Sequence, residues 1–164
     1  MVAGMTLRFG PLRVPTTVRW PRADAGWLAF VVSDELSPAD PWVANHVVVG
    51  LAGSQPEAIE LAALQWVADH AAEFGAEADR MLVAGGARAA WLALAARDSG
   101  WPVLGGQLLV EPRFGPGRPM PTDLAHAPGA TIVHGRPHDD GRRYAERLRA
   151  AGVHVEEVRD DRRA

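Results

Sequence analysis

The order of the apolar segments constrains the fold of this chain more than any other feature. Continuous apolar runs at 26–33 and 81–85 are typical of strands that are buried on both faces. Segments with helical periodicity separate several runs of this kind, and strands that alternate with helices form βαβ units. The sequence therefore predicts a mostly parallel twisted sheet with helices on both faces. Its strands are expected at two short segments within 6–20 and at 26–33, 46–51, 81–85, 106–112, 130–135 and 153–158.

Two helices are predicted from capping residues and apolar spacing. Ser54 and Glu57 have the spacing of a capping box, and Pro56 suits the first turn of the helix that follows. The second helix is expected over 87–99, where small residues dominate.

A third helix is predicted near the end of the sequence. Asp139 or Asp140 can cap it, it is expected to run to Ala151, and Gly152 suits the position just after a helix end. Between the second and third helices, the Pro- and Gly-rich segment 113–129 is expected to be a long loop.

Composition excludes several classes of protein. The 164 residues suit one domain over 1–164, and the net charge of -3 provides no basic surface for nucleic acid. No apolar run approaches the roughly 18 residues that a membrane span needs, and the first residues lack the apolar stretch of a signal peptide. There is no cysteine, so disulfides and cysteine chemistry are excluded. We expect a cytoplasmic protein that binds neither nucleic acid nor membrane.

The segment MLVAGGARAAW, residues 81–91, raises the question of catalysis. A buried strand, a tight glycine turn and a helix have the shape of a nucleophile elbow, in which a sharp turn presents a serine at the sheet edge. Ala87 stands where that serine would be, and a methyl group cannot attack an ester.

Three segments resemble one known family. The stretch QPEAIELAALQWVADHAAEFGAEADRMLVAGGARAAWLALAARDSG, the stretch YAERLRAAGVHVE and the stretch PLRVPTTVRWP are similar to parts of the hormone-sensitive-lipase-like esterase branch of the α/β-hydrolases. The resemblance implies a minimal α/β-hydrolase core without a cap domain. It also implies a chain that is truncated relative to the family.

The same resemblance implies that the catalytic groups are missing. The family motif G-D-S-A-G-G falls on Gly85, Gly86, Ala87, Arg88, Ala89 and Ala90, so the elbow is degenerate. The oxyanion loop H-G-G-G falls on Ser33, Asp34, Glu35 and Leu36, whose carboxylates would oppose a developing negative charge. The acid position falls on Gly135 or Arg136, and the family's histidine lies beyond the last strand of this sequence.

Other chemistry is open at the same end of the sheet. A divergent esterase or other hydrolase could work through Ser33, His134 and His138. The segment HGRPHDD could also offer metal ligands, but its spacing is no known metal signature, and its two aspartates already suit a helix cap. We expect no metal and no cofactor.

The favoured interpretation is a non-catalytic protein, a pseudoenzyme that binds a small ligand or serves in assembly. The ligand-binding candidates are Ser33, Asp34, Glu35, Arg88, His134 and His138. A simpler alternative for Arg88 is an ion pair with Asp34 or Glu35 that fills the former site. The last strand, 153–158, is expected to lie at the sheet edge, and bare edges favour pairing with another chain, so a homodimer is predicted.

Overall fold

Eight strands hydrogen-bond into one sheet in the order β1-β2-β4-β3-β5-β6-β7-β8. The computed structural model describes residues 1–23, 26–32, 36–37, 40–136 and 139–163. The strands are β1 Val2–Phe9, β2 Leu12–Arg19, β3 Gly26–Val32, β4 Val47–Leu51, β5 Ala76–Gly85, β6 Gly106–Val110, β7 Ala130–His134 and β8 Val155–Arg159. The α-helices are α1 Glu57–Asp69, α2 Ala87–Ser99 and α3 Asp139–Ala150.

The sheet is mostly parallel, as the alternation of elements predicts. β2 runs antiparallel to β1 and to β4, and every other neighbouring pair is parallel. The β1–β2 hairpin turns at Gly10, whose φ of 59° is readily adopted by glycine. Because β3 to β7 are parallel, their carboxyl ends lie at one edge of the sheet, where ligands bind in open α/β folds.

Helical segments cover both faces of the sheet, but very unequally. All three α-helices pack on one face, called here the helical face, and contribute to a large core that includes Leu64, Leu92 and Tyr144. The opposite face, called here the open face, carries a smaller core closed by Leu36 and by the short 3-10 turn Pro41–Val43. The alternation of side chains along each strand separates the two cores.

The capping box predicted at the first helix is wrong. α1 begins at Glu57, its N-cap residue is Pro56, and no side chain caps it. The amide groups of Ile59 and Glu60 donate to the carbonyl of Pro56 at 2.9 and 3.0 Å. Ser54 therefore lies two residues before the N-cap position, and its hydroxyl does not cap the helix.

The second and third helices agree closely with the predictions. α2 occupies the predicted residues 87–99, and its alanines are small enough to pack closely on the sheet. α3 begins at Asp139 and ends one residue before the predicted Ala151, and Gly152 follows with a φ of 80°. Such a left-handed glycine is a common end to a helix.

β5 is longer than predicted. The sequence FGAEADR suggests a turn, yet the strand already begins at Ala76, directly after the left-handed Gly75. Its first half pairs with β3 only at Gly26, and the register shifts between Gly26 and Leu28. The irregular pairing and the polar residues explain why this half lacks the apolar pattern of a strand.

Candidate functional site

The turn between β5 and α2 keeps the outline of a nucleophile elbow but not its strained residue. In an active elbow the serine itself lies on the strained turn. Here Gly85 has a φ of 150° and Gly86 has φ -100° and ψ -135°. Within the described ranges, only Glu111 and His126 have a positive φ among residues other than glycine, so Ala87 simply begins the helix. The glycines carry the irregular backbone, and the nucleophile position holds a buried methyl group.

The Arg88 side chain joins the first two helices instead of facing a ligand. Its Nε donates to Oε1 of Glu60 at 3.0 Å, and its Nη2 donates to the same oxygen and, at 3.5 Å, to the carbonyl of Gly53. The ion pair that fills this part of the site is therefore made with Glu60 on α1. The predicted partners Asp34 and Glu35 lie outside the described residues.

Glu60 is a fully buried carboxylate that the sequence interpretation missed. It has no exposed surface, and burial raises its pKa even though the Arg88 guanidinium acts in the opposite direction. The positive charge of Arg118, in the loop 113–129, also favours the ionised form. Glu60 Oε2 and Arg118 Nη1 are buried, and neither has a hydrogen-bond partner in the described structure. A signal was present, because Glu60 precedes the apolar residues Ala63 and Leu64 by three and four positions and so shares their helix face.

Gly135, one of the two positions that the resemblance assigns to the family's acid, has no room for a side chain, whereas the other, Arg136, is exposed. A Cβ atom built on Gly135 would overlap Cβ of Arg163, and it would lie 2.8 Å from Glu111 Oε1 and 2.9 Å from the Arg163 carbonyl oxygen. Glu111 holds its place by accepting a 2.8 Å hydrogen bond from the amide of Arg136. Its φ of 45° is unusual for a residue of this size, and no sequence pattern indicated it.

His134, at the end of β7, belongs to a separate polar cluster beside α3. Its Nε2 lies 2.9 Å from Oε1 of Glu157 on β8, and Arg149 donates to Oε2 of the same carboxylate at 2.7 Å. Burial tends to raise the pKa of Glu157, but the hydrogen bonds from Arg149 and His134 outweigh it and lower the pKa overall. One strand, β6, lies between β7 and the elbow at β5, so the two are two strand spacings apart, roughly 10 Å.

A short 3-10 turn, Asp161–Arg163, folds back against the carboxyl ends of the strands. Asp160 anchors it, since this carboxylate accepts hydrogen bonds from Trp42 Nε1 at 2.9 Å and from the Arg162 guanidinium at 2.8 Å. These two donors hold the pKa of Asp160 well below its usual range. Arg163 completes the link through an ion pair with Asp40.

The remaining predicted site residues cannot be placed. Ser33, Asp34, Glu35 and His138 lie outside the described residues, so the structure brings together only Arg88 with Glu60 and His134 with Glu157. Among the residues that are described, no group of three or more His, Asp or Glu side chains could hold a metal ion. No helix in this part of the chain is long and apolar enough to cross a membrane.

Known proteins resemble this chain in three-dimensional structure. No protein-family model matches the chain, and no curated protein does so. Solved structures of esterases match it closely in fold. An arylesterase has a TM-score of 0.79 at 18% identity, over 97% of this chain and 75% of the other.

Two further esterases give the same result. EstE1, a thermostable carboxylesterase cloned from a metagenomic library, has a TM-score of 0.78 at 22% identity, over 98% of this chain and 78% of its own. A thermostable esterase from Pseudomonas putida has a TM-score of 0.75 at 23% identity, over 97% and 72% of the two chains. These similarities and the strand order confirm the predicted architecture: the chain has the α/β-hydrolase fold of these esterases.

Proposed function

We propose that this protein is a non-catalytic member of its fold class, a cytoplasmic module for small-ligand binding or assembly that forms a homodimer. The proposal rests on two positions at which ester hydrolysis would need a reactive side chain. The position that the resemblance assigns to the nucleophile is Ala87, and Gly135, one of the two positions it assigns to the acid beside Arg136, is closed by Arg163 and Glu111.

Both changes concern groups that acyl transfer requires. Hydrolysis by a nucleophile elbow needs an oxygen nucleophile and a base that is oriented by an acid. Ala87 supplies no oxygen, and its neighbour Arg88 is engaged by Glu60. The crowding at Gly135 means that restoring a carboxylate there would displace the turn that contains Arg163.

Ester hydrolysis tests the absence of catalysis. We expect the purified protein to leave p-nitrophenyl acetate and p-nitrophenyl butyrate unchanged beyond the rate in buffer, with or without divalent metals. Ala87→Ser alone should remain inactive, because the segment that the resemblance assigns to the oxyanion loop carries Asp34 and Glu35, whose charges would oppose a developing negative charge. Strong turnover by Ala87→Ser would contradict the proposal, since it would reveal a complete supporting site.

Turnover by the unmodified protein would favour the alternative, a divergent hydrolase that works through Ser33, His134 and His138. In that case Ser33→Ala or His134→Ala should abolish the activity. Turnover that survives both substitutions would indicate a contaminant and would leave the non-catalytic proposal standing.

The dimer is supported by the position of β8. This strand pairs with β7 on one side only and forms one edge of the sheet. The Ala130 amide donates to the carbonyl of His154, and the Asp160 amide donates to the carbonyl of His134. In a parallel ladder alternate residues bond to the same neighbour, so Glu157 and Arg159 direct their backbone groups away from β7.

Charge complementarity selects a register for the pairing. If two β8 strands meet antiparallel about a two-fold axis at Val158, Glu157 of each copy lies opposite Arg159 of the other. These residues lie on the same face of the sheet, because they are two positions apart. Opposite charges directly across a strand pair stabilise it by roughly 0.2–1 kcal/mol for each pair.

Sedimentation velocity at micromolar concentration tests the interface. We expect a dimer for the unmodified protein and a monomer for Arg159→Glu, in which two pairs of like charges would face each other. Arg147→Glu makes the same charge change on the exposed surface of α3 and should leave the dimer intact. A monomeric unmodified protein, or a dimer that tolerates Arg159→Glu, would contradict the β8 interface.

A further inference from the structure

A pocket lies at the carboxyl ends of β7 and β8, beside the first turns of α3. Its volume is about 380 Å³, which falls within the range of small-molecule sites. Three arginines from different elements line it: Arg136 from the connection after β7, Arg142 from α3 and Arg159 from β8. His134, Asp139 and Glu157 complete its polar lining.

The acidic residues of the pocket already have cationic partners. Glu157 is bound by Arg149 at 2.7 Å and lies 2.9 Å from His134 Nε2. Asp139 is paired with Arg142 at 3.0 Å. In contrast, the described residues provide no acidic partner for the Arg136 guanidinium, which is exposed at the pocket. The pocket therefore carries an excess of positive charge.

Within one chain the other two arginines are held only by weak pairs, and in the proposed dimer Arg159 would also face Glu157 of the second copy in a pair worth roughly 0.2–1 kcal/mol. Arg142 is 66% exposed in its pair with Asp139, and Arg159 is 74% exposed in its pair with Asp161. Exposed ion pairs of this kind contribute about 0–1 kcal/mol, so both guanidinium groups can turn toward a bound anion at little cost. The positive end of the twelve-residue helix α3 adds to the attraction, with Asp139 and Asp140 in its first turn acting against it.

We propose that this pocket binds the phosphate group of a small molecule. Guanidinium groups that come from three elements can each donate to a different oxygen of a tetrahedral anion, whereas a carboxylate offers only two oxygens in one plane. The remaining volume can hold an organic part beyond the phosphate. The inference rests on the proposed binding role and gives it a ligand class.

The test uses inorganic phosphate and glycerol 3-phosphate as probes in calorimetric titrations of the full chain, with sodium chloride at matched ionic strength as the reference. We expect both probes to bind the unmodified protein, and glycerol 3-phosphate to bind more tightly. Arg136→Gln and Arg142→Gln should each weaken binding about tenfold, the effect of losing one charge-assisted hydrogen bond. Arg143→Gln is the matched control, because Arg143 lies on α3, pairs with Asp140 at 3.6 Å and does not line the pocket.

The possible outcomes separate the phosphate site from its alternatives. Equal affinity of phosphate for the unmodified protein and for both pocket variants would overturn the site, as would a signal that sodium chloride reproduces. Equal affinity for the two probes would show that free phosphate, and not a phosphorylated molecule, is the ligand, which would overturn the ligand class proposed here. Ester turnover by the unmodified protein would remove the non-catalytic role while leaving measured phosphate binding unaffected, so the two failures are distinguishable.

Discussion

The two faces of the sheet are stabilised in different ways. On the helical face, three α-helices bury a large continuous core, and Tyr144 is its largest fully buried side chain among the described residues. On the open face, a small core is closed by Leu36 and Val43, and a groove of about 520 Å³ runs beside it. Burial of apolar area therefore stabilises the helical face far more than the open face.

Polar contacts make up part of the difference on the open face. The side chains of Trp42 and Asp40 tie the loop before β4 to Asp160 and Arg163 in the final turn. The groove itself is lined by Trp27, Leu82, Leu108 and Val158, among others. The comparison teaches that packing of the three α-helices stabilises most of this sheet. The segments on the open face are held by a small apolar core and by a few polar contacts.

The largest expected loss of stability comes from a substitution in the core of the helical face. Tyr144→Ala should lower the free energy of unfolding by about 3–5 kcal/mol, because it removes a fully buried ring. The centroid of this ring lies 5.1 Å from that of the Phe114 ring. Tyr144→Phe is the control. The Tyr144 hydroxyl is buried without a partner in the described structure, so its removal should cost nothing or stabilise. Urea denaturation measures both, and a costly Tyr144→Phe would reveal a partner for the hydroxyl.

The next effect concerns the polar link within the helical face. Arg88→Ala should cost about 3 kcal/mol, because it leaves the buried Glu60 carboxylate without its cation. The double variant Glu60→Met with Arg88→Met should recover most of that loss, since apolar side chains of similar size avoid desolvation of both charges. Denaturation of the single and double variants forms the test. Equal losses in both would contradict the assignment of the cost to an unpaired charge.

Buried or paired carboxylates on the two faces should change stability with pH in opposite directions. Because the pKa of Glu60 is raised in the folded state, its ionised form costs stability above that raised pKa, and the cost disappears as the pH falls below the ordinary value of 4.5. Glu60→Gln should therefore gain stability relative to the unmodified protein as the pH rises above about 4.5. On the open face the sign is opposite, because the lowered pKa of Asp160 gives stability that is lost under strongly acidic conditions. A difference between Glu60→Gln and the unmodified protein that is constant from pH 4 to pH 8 would contradict the first statement.

A smaller effect is expected at Gly135, directly after β7. Gly135→Ala should cost about 1–2 kcal/mol, because its methyl group overlaps Arg163 and forces the final turn to move. Gly117→Ala is a matched control in the loop 113–129, where an added Cβ meets nothing within 4 Å. Thermal unfolding of both variants measures the effect. A neutral Gly135→Ala would show that the final turn yields freely and that position 135 is not closed to a side chain.

Much of the fold follows from local patterns in the sequence. The apolar runs give the strands, and the small residues of 87–99 give α2, because burial and helix packing act on neighbouring positions. The capping box at Ser54 fails for the same local reason, since a motif four residues long does not determine which carbonyl accepts the first helical hydrogen bond. Ser54 and Glu57 have the right spacing, yet the helix begins later.

The candidate site was less predictable, because its contacts join distant parts of the chain. Ala87 is visible in the sequence, but the pairing of Arg88 with Glu60 links positions 28 residues apart, and Trp42 with Asp160 links positions 118 apart. The closure of Gly135 by Arg163 and Glu111 likewise depends on three separate segments. Spacing along the chain carries no information on such contacts, so only the tertiary structure reveals them.

The smallest expected effect tests how the open face is attached. Trp42→Phe keeps an aromatic ring but loses the 2.9 Å hydrogen bond to Asp160, so it should lower the free energy of unfolding by only about 1 kcal/mol. Its local effect should be larger, and amide hydrogen exchange at Arg162 and Arg163 should become faster than in the unmodified protein. Trp27→Phe removes the same atoms from the same groove without touching that turn, and it should leave exchange there unchanged. If both variants protect the turn equally, the link between Trp42 and Asp160 does not hold it, and other contacts, such as the ion pair of Arg163 with Asp40, attach the turn to the open face.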